Sequence, residues 1–133
     1  MRNNLANGIG NLVARVMNLT GKYLEEPIPV AEVAFPKEYK TYFDNFDFKG
    51  AADYIWQKIG QLDKDIIERA PFKLIKTDTE IAKRIISEQT LELYKIAYLL
   101  QPILPKTSIA IMKAIQLNKR PPNLFNRLRD NYS

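Results

Sequence analysis

An all-α protein, a bundle of four to five helices, is what three features of the sequence predict. Apolar residues recur at alternating spacings of four and three along two long stretches, Leu5 to Tyr23 and Phe48 to Ile66. That is the period of a helix with one buried face. Proline falls between the periodic stretches rather than inside them. No run alternates apolar and polar residues as a half-buried strand would. Long helices joined by short turns make a bundle.

The first helix is expected over 3–24. Leu5, Ile9, Leu12, Val16, Leu19 and Tyr23 form its inward face. The opposite face reads Asn4, Gly8, Asn11, Arg15, Asn18 and Lys22, without an acid. Glu and Lys would hold a solvated helix better than three Asn and a Gly do. Amides both donate and accept hydrogen bonds, which suits them to base edges. Gly10, Ala14 and Gly21 form a strip of small residues that would admit another backbone. Pro27, Pro29 and Pro36 mark a connection. A short helix follows over 37–43, then a turn in which Asp47 is the expected N-cap.

The second long helix is expected over 48–69, with Phe48, Ala52, Ile55, Ile59, Leu62 and Ile66 inward and Pro71 ending it. Tyr54 and Trp56 lie off this stripe, with Trp56 at its border. Tyr42, Phe43, Phe46 and Phe48 are expected to pack the preceding turn. Thr77 and Glu80 have the spacing of a capping box opening a third long helix. It runs to about Leu100 with Ile81, Ile85, Leu93, Ile96 and Leu100 inward. Pro102 and Pro105 bracket a bend into a last helix over 106–117. Residues 1–117 thus form one helical domain, and 118–133 a basic tail.

At 133 residues the chain has one domain's length. It contains no Cys and no His, which excludes disulfides, thiolate zinc sites and His-based triads. Neither a phosphate-binding GxxxxGK[ST] loop nor GxGxxG occurs. Asp63, Asp65 and Glu68 read as a solvated acidic face, because residues two apart on a helix do not face each other. No catalytic or metal-binding residue is assigned. No apolar run reaches the roughly 20 residues of a membrane span, and residues 1–20 are not a signal peptide. The default location is cytoplasmic.

The charge is +5 and is unevenly placed. Up to Pro105, fourteen Lys/Arg meet fourteen Asp/Glu; beyond it stand Lys106, Lys113, Lys119, Arg120, Arg127 and Arg129 against Asp130. A basic end attracts polyanions or simply solubilises, and charge alone does not choose. Phe72, beside Pro71 at a helix end, can stack an unpaired base or plug the bundle. The second is the commoner fate of such an aromatic.

The motifs narrow this further. LANGIGNLVAR at Leu5–Arg15 resembles the opening helix of the anticodon-binding domain of methionyl-tRNA synthetase, of pattern LAN-x-x-GNL-x-x-R. IERAPFKL at Ile67–Leu74 resembles that family's E-x-x-PW-x-L segment, and PILPKTSIAI its P-x-x-P-x-T/S entry to the last helix. NKRPPNLFNRL resembles the closing PLFPR segment. The resemblance covers Asn3 to Arg127. Phe72 stands for the family's Trp, Gly8 where some members carry Arg, and Asn126 for a Pro.

The resemblance implies a helical anticodon-binding domain of the class I aminoacyl-tRNA synthetase type. Its partner would be the anticodon stem-loop of methionine tRNA, read at CAU, rather than DNA or a membrane. Asn4 and Arg15 fall on the family's anticodon-reading residues and Phe72 on its stacking aromatic. Asn11 and Lys22 share the polar strip. The HIGH and KMSKS signatures of the catalytic domain are absent, so the chain alone is expected to be inactive. It reads as a piece of a longer methionine--tRNA ligase, with a free-standing domain the alternative. The catalytic domain would then be a second partner and would carry ATP and Mg²⁺; none is expected in this chain. Two rivals remain: the same bundle from a synthetase for valine, isoleucine, leucine or cysteine, and a stand-alone helical module that binds protein.

Overall fold

The computed structural model describes residues 5–30 and 33–118. Asn4 and the basic residues from Lys119 onward lie outside them. Among the described residues the structure is helical, without strands. Helix α1 covers Leu5–Tyr23, α2 Lys37–Asp44, α3 Phe48–Arg69, α4 Pro71–Leu74, α5 Thr79–Leu99 and α6 Pro105–Leu117. None of them is long and apolar enough to cross a membrane. The predicted bundle is therefore present, with α4 as an added single turn.

Helices α1 and α3 run parallel. Gly8 meets the Trp56 ring, and Arg15 meets Asp63, at the same offset along both chains. Helix α5 runs back against α3, where Asp65 accepts from Gln89 at 3.0 Å and Arg69 reaches Glu88 at 2.7 Å. Helix α6 turns again and is fastened to α5 by Ser108 Oγ, which donates to the Ala97 carbonyl at 2.6 Å. Its end meets the end of α1, where Asn118 Nδ2 donates to the Leu24 carbonyl at 2.9 Å. The C-terminal ends of α1, α3 and α6 thus gather at one end of the bundle, together with α4. The dipoles of α1, α3 and α6 direct partial negative charge there, and the N-terminus of α5 directs positive charge to the same end.

The core is apolar and continuous through Ile9, Leu12, Val16, Ile55, Ile59, Leu93 and Ile111. Across α1 and α5 the core holds a buried polar contact, Thr20 Oγ1 against Thr90 Oγ1 at 2.7 Å. Each hydroxyl also lies within reach of a carbonyl of its own helix, Val16 or Ile86; with one proton each, one hydroxyl donates to its carbonyl while the other donates across the pair. The N-cap at Asp47 forms as expected, accepting from the Gly50 N–H at 2.9 Å.

Several expectations fail for identifiable reasons. The capping box does not form. Asp78 precedes α5 without a side-chain cap, and Thr79 Oγ1 donates to the Ile75 carbonyl at 2.9 Å instead. Thr77 is still inside the turn that closes α4, its N–H bonded to Leu74. Ile81, expected inward, is exposed on the first turn of α5. Phe48 is exposed rather than inward, though its ring packs the turn as expected, 5.9 Å from Phe43 between centroids, and Ala51 takes the inward place given to Ala52. Phe46 packs nothing: it has a positive φ of 57° and is 80% exposed. Tyr54, placed off the stripe, is buried, because α2 crosses this face of α3. Rings of Tyr39 and Tyr54 meet there with centroids 5.3 Å apart. The strip of small residues divides: Gly10 is buried and Ala14 half-buried, but its last member is open. Gly21 is exposed and a side chain there would meet nothing within 4 Å.

Candidate nucleic-acid interface

The acid-free side of α1 remains largely open. Asn11, Arg15, Asn18 and Lys22 are all exposed, one above the next. Gly8 is the exception and corrects the reading of that strip. A Cβ at Gly8 would lie 2.4 Å from the Trp56 ring, so the indole fills the notch the glycine leaves. Gly8 is a packing residue, and Trp56 borders the core as expected.

Arg15 is not a free cation. Its Nη1 donates to Asp63 Oδ1 at 2.6 Å across the α1–α3 interface. The two side chains are 51% and 39% exposed, so the pair is open to solvent. Asp63 and Asp65 are therefore interhelix partners, not a merely solvated acidic face: Asp65 takes Gln89 and Arg69. Sequence reasoning missed Asp63 because its partner lies 48 residues away. Only the fold supplies that contact.

Phe72 stands where the chain reverses. Helix α3 stops at Ala70, which adopts a left-handed conformation with φ 42° and returns its N–H to the Ile66 carbonyl. A side chain in that region is strained, and such strain persists only where the surroundings impose it. Pro71 then opens α4 at a position that needs no N–H donor and is buried. With Pro71 inward, Phe72 is left 46% exposed. Lys73 Nζ lies 5.9 Å from its ring centroid. An exposed ring beside a cation offers a base both a stacking face and a partner for its phosphate.

The parallel run of α1 and α3 relates these residues. The offset that pairs residue 8 with 56 and 15 with 63 sets Lys22 level with Ala70, where the chain turns into Phe72. Asn11, Arg15 and Lys22 thus rise along one face toward the end of the bundle that carries Phe72. Ile67, 63% exposed, lies one turn beyond Asp63 on α3. Among the described residues, no group of three or more His, Cys, Asp or Glu side chains could hold a metal. The arrangement offers hydrogen bonding, positive charge and an exposed ring.

No family model matches the chain. Curated relatives do. It is 33% identical over 137 residues to a methionine--tRNA ligase of Listeria monocytogenes, covering 90% of this chain and 20% of the relative. It is 29% identical over 139 residues to the methionine--tRNA ligase of Fusobacterium nucleatum, covering 93% and 22%. The chain is a homologue of one segment of methionine--tRNA ligase. The methionine--tRNA ligase of Streptococcus pneumoniae matches in the same proportion, at 27% identity over 86% of this chain and 20% of the relative. The chain spans about a fifth of the length of the ligases it matches. A match covering nearly all of this chain and so little of each ligase is consistent with a C-terminal domain of such an enzyme.

Proposed function

We propose that this chain is the anticodon-binding domain of a methionine--tRNA ligase and selects methionine tRNA by its CAU anticodon. The observation that carries the proposal is the strip on α1 that leads through Arg15 and Lys22 to the exposed Phe72, in a chain homologous to that ligase. Unpaired loop bases are read by stacking and by their hydrogen-bonding edges. Phe72 stacks on an anticodon base, worth about 1–3 kcal/mol per base. Arg15 and Asn11 bond to base edges or the adjoining backbone, and Asn4 is assigned the same role from the resemblance alone. Lys22 and the basic residues after Asn118 neutralise phosphates, a salt-dependent contribution that carries no sequence information. Asn118, the residue before the basic segment, is fastened at the end of α1, the end of the bundle that bears Phe72.

Amino-acid activation, with ATP and Mg²⁺, belongs to the catalytic domain of the longer enzyme, to which this domain would attach. The test is titration of the chain with short anticodon stem-loops bearing CAU or GAU at low salt. Preference for CAU that falls about tenfold or more in Phe72→Ala, the scale of one lost base stack, supports the reading. Arg15→Ala is expected to weaken CAU binding as well. Equal binding of both loops would reduce the site to a basic RNA surface. Binding of neither would favour the protein-interaction alternative.

A further inference from the structure

We infer that Asp63 is a specificity-determining residue: paired with Arg15, it forms an edge that accepts cytosine and rejects uracil. The inference rests on the anticodon-binding reading and names the base that this part of the surface takes. The ion pair uses one guanidinium nitrogen and one carboxylate oxygen, Nη1 to Oδ1. Among the described residues, Asp63 Oδ2 and the remaining Arg15 nitrogens have no other hydrogen-bond partner. The pair therefore presents an acceptor beside several donors, on the outer side of two helices.

That order of groups is the order on the pairing edge of guanine, which carries an acceptor followed by two donors. Its complement is cytosine, with the N4 amine as donor and N3 and O2 as acceptors. Asp63 would accept from the N4 amine, the contact carboxylates make with cytosine. Arg15 would donate to N3 and O2. Uracil carries O4 where cytosine carries the amine, and N3–H where cytosine has a lone pair. It would set oxygen against carboxylate and donor against donor, and rejection of that kind is what selects between partners.

The surroundings suit such a contact. Leu12 and Val16 on α1, and Ile59 and Leu62 on α3, close in sequence to the two charged residues, are buried in the core the helices share. Both charged side chains stay open enough for a base to reach. Ile67, one turn beyond Asp63 and largely exposed, provides an apolar surface beside the pair for the face of a base.

The experiment compares stem-loops that differ only in the first anticodon base, CAU against UAU, for the chain and for Asp63→Asn and Asp63→Ala. Asp63 lies on the surface, and helical circular dichroism checks that both variants fold. The inference expects CAU to bind better than UAU, and expects that ratio to fall about tenfold in both variants, the scale of one two-point base contact. If the variants weaken CAU and UAU alike, Asp63 only tethers Arg15, and the inference is overturned. If the chain prefers CAU over GAU but not over UAU, the inference also fails while the anticodon reading stands. If no loop binds, the anticodon reading itself is lost and the inference goes with it.

Discussion

At the scale of single residues, the polar strip of α1 combines two kinds of position that look alike in sequence. Arg15 and Lys22 are open, but Gly8 is filled from across the interface by Trp56. Their difference has a direct test. In Gly8→Ala the added Cβ would lie 2.4 and 2.7 Å from two ring atoms of Trp56, so the indole must move. Overpacking of this kind costs about 1–3 kcal/mol, against a gain of about 1 kcal/mol for replacing a helical Gly by Ala. The expected outcome is a net loss of stability in urea unfolding, with a shift in tryptophan emission. Trp56 is the only tryptophan in the chain, so the emission reports that ring alone. Unchanged emission would mean that the ring does not depend on the notch.

At the scale of elements, helix starts that look equally capped prove different. Asp47 accepts a hydrogen bond from Gly50 at the head of α3, while Thr77 makes no cap at the head of α5. Asp47→Ala is therefore expected to cost about 1 kcal/mol, the usual worth of such a cap. Thr77→Ala should stay within about 0.5 kcal/mol, as surface changes do. Equal losses in chemical denaturation would show that the box forms in solution after all. The start and stop residues of α2, α3 and α6 were legible because Pro and Asp act on their own neighbours. The start of α5 was not, because the turn after α4 absorbs two further residues before the helix begins.

At the scale of the whole molecule, α2 is tied across the bundle to the end of α5. The buried Tyr39 hydroxyl donates to the Leu99 carbonyl at 2.5 Å, a carbonyl near the helix end with few backbone donors to meet it. Burial, then the neighbouring Tyr54, raises the Tyr39 pKa well above the ordinary value. Tyr54 is raised as well, by burial and by its bond to Glu38. An unfolded tyrosine ionises near pH 10. Because the folded value is raised, this contribution to stability is complete below about pH 10 and is lost as pH climbs through the folded value. The unfolding midpoint should fall above about pH 10. Tyr39→Phe should make that fall shallower, while lowering stability at neutral pH by about 1–3 kcal/mol through the orphaned carbonyl. A midpoint as sensitive to alkali in the variant as in the parent chain would assign the effect to other groups.

What the sequence determined by itself was local or periodic. The helical class, the connection at Pro27–Pro36, the cap at Asp47 and the inward run from Ile55 to Ile66 each follow from spacing or from one residue acting on its neighbours. The motifs containing Arg15 and Phe72 were legible too, as was the kinship with methionine--tRNA ligase that the relatives show. Only the tertiary structure decided which residues of the polar strip face solvent, because Trp56 reaches Gly8 from another helix. It alone buried Tyr54 under α2 and left Phe46, Phe48 and Ile81 outside. It alone joined Arg15 to Asp63. A period fixes the face of a helix, but not how far its neighbours extend over that face. Which charges meet across helices depends on register and direction, and these are set by packing of the whole core.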